Sequence, residues 1–524
     1  MGFREVVKPA SDDAKSVTRL GHLIQVCERC KQAGLHCSGY KDDADLIFRP
    51  YEGSYQYQAG SVATSEEQYN SSDSTKNPSE ASDAISPDSQ YDEEQIDKHA
   101  LQTFFVDYCV SSADRSLSRG YLDGLQTLLF HAGPQSEVSQ AAKIVALANL
   151  GKKSNSPSLL ERTRLLYSRL LHSFQRTISN PSTSSTIESF MTAVLLGLYE
   201  MISATESDHG KHGAHIRGVS AILSTGESRL DLVNGVKVFQ VADPQLIGVP
   251  TKQPEALQGI LGAPALSPFV QSLDSIFVKM RPLISRIEAL VTCTLTHCDD
   301  IQFLKAAALD INADLSRWQD SQLREWKPTS IGFWSCCDDV SDDSIFWPGP
   351  VDGYFDRKQI LRHPVTQGGK LTFIAYVAAV WNTCYKARLI ALEFIVRCSL
   401  LLHDGDTHKE EHAEAQKLTG KMLSSIPYLL LRDPKSVISG PREFQEPGRP
   451  FGGLLLMHPL YVATKVSVVP APVQAHMSKC LAWIGRHMNI GQATLLSMAS
   501  NPVPAQFVVD GHTLLWAGML TQPA

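Results

Sequence analysis

The sequence predicts a mostly α protein, in which a large all-helical domain over residues 98–524 follows a small cysteine-bearing segment and an unfolded acidic linker. Three observations carry that reading. After Lys98, apolar residues recur at intervals of three and four, the spacing that gathers them on one face of a helix. Alternating apolar and polar runs, the mark of half-buried strands, are scarce. The stretch from Glu52 to Asp97 has eleven acidic residues against one basic, too polar to offset the entropy of ordering. Across the 524 residues, 43% hydrophobic and 20% charged content is ordinary for a globular chain able to bury a sizeable core.

Residues 1–26 form an atypical amino-terminal arm that contains no cysteine, and residues 27–49 form a distinct segment. There Cys27, Cys30 and Cys37 stand in a C-x2-C-x6-C array. A C-x2-C pair grips one tetrahedral metal ion with two thiolates from a single turn, and a third cysteine six residues on folds back to the same ion. The array supplies three ligands of a four-ligand zinc site, with His22 or His36 as candidates for the fourth. Three free thiols in a poorly ordered arm are the plain alternative. Eleven cysteines at irregular spacings read as reduced intracellular thiols rather than a disulfide frame.

Residues 50–97 read as a disordered acidic linker. From Glu52 to Asp97 the net charge is -10, larger than the -7 of the whole chain. The segment is a tether, and Tyr51, Tyr55, Tyr57, Tyr69 and Tyr91 among the acids also suit an acidic activation segment. A solvated spacer is the plainer reading. No apolar heptad follows the cysteines, so nothing predicts a coiled-coil dimer.

Within the helical domain the clearest element is Thr186 to Ser203, where Ile187, Phe190, Met191, Val194, Leu195, Leu198, Met201 and Ile202 mark one broad apolar face. The same periodicity predicts helices over Leu159–Phe174, Ile216–Leu223, Leu273–Leu295, Phe373–Leu401 and Met477–Ile490. Val233 to Pro244 reads as a short extended or hairpin-like insert. Proline and glycine clusters predict loops at Ile247–Pro268, Trp347–Gly353 and Ser436–Gly453. Gly213 and Gly218 suit close helix packing, Gly226 a helix stop, and Pro459 a first helical turn.

Other chemistries find little footing. His209, His212 and His215 lie three apart, so two of them share a helix face, but no cysteine or carboxylate completes a ligand set and packing histidines are the simpler reading. His408-Lys409-Glu410-Glu411-His412 matches the H-x-x-E-H pattern of a helical zinc metalloenzyme, in a polar stretch that otherwise reads as a solvated helix face. The chain has no G-x-S-x-G, no G-x-x-x-x-G-K-[ST] and no G-x-G-x-x-G. Its longest apolar stretch, Leu371 to Trp381, is about half the length of a membrane span, and no segment has the build of a signal peptide. No membrane partner is expected.

The cysteine segment, with Lys31, Ala33 and Gly34 between the cysteines, Ser38-Gly39-Tyr40 after them and Asp45-Leu46-Ile47-Phe48-Arg49 at its exit, resembles the second half of the fungal zinc binuclear cluster. In that six-cysteine DNA-binding domain, two C-x2-C-x6-C halves share two zinc ions. His212 to Gly226, then His458-Pro459-Leu460-Tyr461-Val462-Ala463, Leu481-Ala482-Trp483-Ile484-Gly485 and Gly491-Gln492-Ala493, resemble the helical regulatory domain that follows the cluster in fungal transcription factors. The resemblance implies zinc on Cys27, Cys30 and Cys37, duplex DNA as partner with Arg29 and Lys31 at its phosphates, and contacts with the transcription machinery or co-regulators. It further implies a nuclear regulator of RNA polymerase II genes, of the kind that serves metabolic or secondary-metabolite gene clusters. The family's first half, with three more cysteines and a basic turn, has no counterpart in residues 1–26, and residues 1–50 hold eight basic against seven acidic side chains. A paralogue that lost its DNA-reading half, a replaced first exon and a mononuclear site all suit that pattern. The alternative function is a regulator that acts through its helical domain without binding DNA.

Overall fold

The computed structural model describes residues 87–111, 120–205, 211–224, scattered positions between 273 and 286, and 298–334, 345–354, 370–432, 446–499, 511 and 514–519, with single-residue gaps. They form helices α1 (Pro87–Tyr108), α2 (Leu125–Ala132), α3 (Glu137–Lys153), α4 (Pro157–Ser179), α5 (Pro181–Ser184), α6 (Ile187–Ser203), α7 (His212–Ser224) and α8 (Cys298–Ser321). Two strands follow, β1 (Thr329–Trp334) and β2 (Gly349–Gly353), then α9 (Lys370–Leu402), α10 (Lys409–Leu430), α11 (Pro450–Lys465), α12 (Ala471–His487) and α13 (Gly491–Met498). The helices expected over 159–174, 186–203, 216–223, 373–401 and 477–490 are all present. The insert at 233–244 and the loop at 247–268 lie outside the described residues, as does most of the helix expected over 273–295.

Local chemistry sets several helix starts. Ser136, Ser156 and Thr186 each hold an extended backbone, and their hydroxyl oxygens accept from Ser139 N at 3.3 Å, Leu159 N at 3.4 Å and Ser189 N at 3.1 Å, satisfying donors that the first turn leaves free. Pro157 follows its cap at the position where a missing N–H costs nothing.

α3 packs against α1, α4 and α6, and α6 against α7. α9 packs against α8, α10 and α11, while α11 also meets α12, α1 and α13. α11 is the centre of this arrangement: every residue from Pro450 to Ala463 is buried. Its first turn approaches α10 closely, because a Cβ at Gly452 would overlap the Leu429 carbonyl oxygen and one at Gly453 would lie 2.6 Å from Met488 Sδ. Arg449, just before α11, donates to Cys109 O at 2.5 Å and Phe105 O at 3.4 Å, so it caps the carboxyl end of α1 where orphan carbonyls and the helix dipole favour a cation.

Buried polar groups tie the other helices together. Arg388 on α9 donates to Asn312 Oδ1 at 3.1 Å and Gln319 Oε1 at 2.5 Å on α8, and pairs with Glu414 on α10 at 3.0 Å. Glu393, 4% exposed, accepts from Arg397 Nε at 2.6 Å and, with its other oxygen, from Ser467 N at 2.6 Å and Ser467 Oγ at 2.8 Å, which fixes the turn between α11 and α12 onto α9.

Four expectations are corrected. Residues 87–97, placed in the acidic linker, are the first turns of α1; Asp97 bridges Arg162 at 3.0 Å and Lys143, which gives the acidic helix start a basic surface to lie on. Trp347–Gly353, read as a loop, contains β2, which pairs antiparallel with β1 and packs on α10. The domain is therefore not wholly helical: Pro350 is tolerated because a two-stranded ribbon leaves an edge open. Pro450 starts α11 inside the stretch read as a loop, and Pro459 sits in the middle of that helix rather than in its first turn.

Two stability measurements follow. Gly452→Ala is expected to cost about 1–3 kcal/mol in denaturant unfolding because backbone must move to admit the methyl, whereas Gly420→Ala, in α10 with open space around it, gains up to about 1 kcal/mol. Glu393→Ala is expected to cost about 2–3 kcal/mol, having removed a charged acceptor from three donors. Equal midpoints for the two glycine variants would show that α11 and α10 do not approach as described.

Candidate functional site

Cys27, Cys30 and Cys37, with Arg29 and Lys31, lie outside the described residues, as do His22, His36 and His209. Among the described residues no group of three or more His, Cys, Asp or Glu side chains is arranged to hold a metal ion, and no helix is long and apolar enough to cross a membrane. His408 does not stand on the helix that H-x-x-E-H chemistry needs: it precedes α10 with φ 52°, while His412 lies in the first turn with Nδ1 3.2 Å from Val468 O.

The described residues do gather one cluster of buried polar side chains from several helices. His212 and His215 come from α7, Lys386 from α9, His458 from α11 and Gln492 from α13. All five are buried, and His458 is 0% exposed. Tyr167 of α4 joins the rim: its hydroxyl lies 2.9 Å from His215 Nε2 and donates to Glu200, and its ring stacks on Tyr199 with centroids 4.3 Å apart. Gln492 Nε2 lies 3.5 Å from His212 Nδ1.

Helix geometry explains these placements. α6 and α11 are apolar around their circumference and so are buried whole, which carries His458 into the interior with its neighbours. α7 packs on α6 and turns His212 and His215 inward from positions three apart, one face of the helix. Lys386 falls in the run Tyr376–Val396 of α9, most of which is buried. The carbon stem of a lysine accepts such surroundings more readily than its ammonium does.

Electrostatics in the cluster follow from burial. Loss of water pushes the His458 imidazolium well below its ordinary range, helped by the charges of Lys386 and His212 nearby. Burial lowers His215 to about 3, with His212 and Arg217 adding to the effect. Lys386 is lowered by burial to about 7. His215 and His458 are thus neutral near pH 7, and Lys386 is poised between its charged and neutral forms. Among the described residues no carboxylate lies within ion-pair distance of Lys386. Both ring nitrogens of His458 and the Oε1 atom of Gln492 lack a hydrogen-bond partner in the protein.

Glycines bring backbone against this cluster. A Cβ at Gly511 would overlap His458 Nε2 and lie 2.6 Å from Cε1. Gly491, beside Gln492, would place a Cβ 2.7 Å from Lys152 Nζ, a second lysine that burial lowers, to about 8.

Sequence reasoning singled out His212, His215, His458 and Gln492, the first two as a histidine pair and the last two within looser motifs, and the fold brings them together. Lys386 was missed. Its signal was a lone cation, with Arg388, inside the apolar run of α9.

No family model matches the chain, and no solved structure matches it. The sequence is 38% identical over 433 residues to transcription factor dbaG of Emericella nidulans, a match that spans 81% of this chain and 96% of the relative. Likeness of that depth over nearly the whole relative carries the fold and its general role, and the chain belongs to the family of fungal transcription factors that includes dbaG.

Proposed function

We propose that this fungal transcription regulator acts in the nucleus on RNA polymerase II genes, and that it contacts duplex DNA through a zinc-bearing segment built on Cys27, Cys30 and Cys37. The observation that carries the reading is the C-x2-C-x6-C array in a chain related to a transcription factor along 96% of the relative's length. Three thiolates supply three of the four positions of a tetrahedral zinc ion. Arg29 and Lys31, next to the ligands in the sequence, would meet phosphates, contacts that position a protein on DNA without reading sequence. The genes controlled would be those of a metabolic or secondary-metabolite cluster, as the resemblance implies, with co-regulator proteins or the transcription machinery contacted by the helical domain.

A second reading has its own support. Residues 1–50 carry eight basic against seven acidic side chains, far from the basic surface of a typical DNA reader. On that account the helical domain works through protein contacts alone.

Full-length protein decides between them. Zinc analysis together with duplex binding measured across salt concentrations is expected to show metal that Cys27→Ser and Cys30→Ser remove, and affinity that falls as salt rises. The double variant Arg29→Ala/Lys31→Ala is expected to flatten the log–log salt slope by about 2, one for each lost phosphate contact. Protein that carries no zinc and ignores DNA at low salt would sink the first reading and leave the second.

A further inference from the structure

We propose that the exposed arginine face of α4 is a docking surface for the chain's own acidic stretch ahead of α1, residues 73–86. The docking rests on charge and helix direction alone. Its use, to keep an acidic segment from co-regulators until salt or a competing anion releases it, rests on the regulator reading.

The spacing of α4 builds a single face. Arg162, Leu165, Arg169, His172 and Arg176 follow one another at intervals of three and four, so they line one side of the helix, opposite the buried Thr163, Leu170 and Phe174. Arg169, His172 and Arg176 are exposed, and Leu165 is 53% exposed. In a chain of net charge -7, α4 carries four arginines against one acid, Glu161, which pairs with Arg164. Arg169 and Arg176 form no ion pair among the described residues.

The first position of the face shows what it accepts. Arg162 pairs with Glu93 at 3.1 Å and with Asp97 at 3.0 Å, both from the opening turns of α1. Helix directions then say where the chain ahead of those turns lies. Asp97 pairs with Lys143, and Asp107 with Lys153 at 2.5 Å, so α1 and α3 run parallel. Ser173 donates to Glu137, and a Cβ at Gly151 would lie 2.9 Å from Leu160 Cδ2, so α3 and α4 run antiparallel. The start of α1 therefore points toward the later turns of α4. From Glu93 and Asp97 back to Pro87 is about 9–15 Å of helix, which brings Pro87 level with the stretch from Arg169 to His172.

The chain that leaves Pro87 there is acidic: residues 73–86 hold Asp73, Glu80 and Asp83 against Lys76. Arg169 and Arg176 stand about 10 Å apart along the helix, well within reach of Glu80 and Asp83, since an extended residue spans about 3.3–3.6 Å. Exposed ion pairs are individually weak, so a separate acidic peptide would bind this face poorly. A segment joined at Pro87 meets it at an effective concentration on the order of millimolar, and that advantage selects the chain's own stretch over another molecule.

The test uses full-length protein. The variant Arg169→Lys/Arg176→Lys keeps both charges and supplies amines to a zero-length carbodiimide, which joins an amine to a carboxylate only where the two meet. Peptide mass spectrometry at about 50 mM sodium chloride is expected to find links from these positions to Asp73, Glu80 or Asp83. Their yield is expected to fall about threefold or more at about 500 mM, where screening is strong, against the partly buried Lys143–Asp97 pair as internal reference. A mixture with heavy-nitrogen-labelled protein is expected to place the links within single molecules. Arg169→Glu/Arg176→Glu, a change of two exposed side chains, is expected to keep the thermal midpoint and to speed cleavage after Glu80 by a glutamate-specific protease about threefold or more at low salt. The proposal is overturned by an absence of links to residues 73–86, by equal yields at both salts, by links between molecules, or by unchanged cleavage after Glu80. Protein that carries no zinc and ignores DNA yet gives the links keeps this contact and loses only the zinc-segment reading.

Discussion

Fourteen consecutive residues of α11, Pro450 to Ala463, are withdrawn from water, and a helix of that composition has no solvent face on which to rest. It must be ringed by other helices, and α1, α9, α10, α12 and α13 supply the ring. Much of the remaining structure follows from that requirement. Glycines at 452 and 453 let the Leu429 carbonyl and the Met488 side chain come close. Arg449 ties the entry of α11 to the end of α1, and Ser467 ties its exit to Glu393 on α9. Tyr121, paired with Val110 beyond α1, stacks on Phe451 with ring centroids 4.6 Å apart, and Gly518 from the carboxyl-terminal segment lies against the same ring.

A helix buried on all sides also carries its polar residues inward. His458 is the consequence: it precedes Pro459, whose missing N–H interrupts the backbone ladder of the same helix, and it is fully buried. Arg388 and Glu393 serve as ties between helices, each matched in charge and hydrogen bonding.

Family membership and the geometry of the helical domain speak to different halves of a regulator. The relative's likeness, spread over 433 residues, extends far beyond the amino-terminal cysteines and so describes mainly the helical domain. The proposed contact with DNA rests on residues 27–49 and on the chemistry of three thiolates.

The sequence by itself determined where the helices over 159–174, 186–203, 216–223, 373–401 and 477–490 lie, because three-and-four periodicity acts within a few residues of itself. It also located the cysteine array, whose meaning resides in spacing alone. Tertiary structure decided the rest. β2 looked like a loop because Pro348, Gly349 and Pro350 are locally poor strand formers, and only pairing with β1 and packing on α10 overcome that. Residues 87–97 looked like linker because their acids become useful only once Arg162 and Lys143 stand beside them. His212 and Gln492 are far apart in the chain, and no local pattern says that two helices will bring them within 3.5 Å of each other. That convergence is a property of packing, set by the need to bury α11.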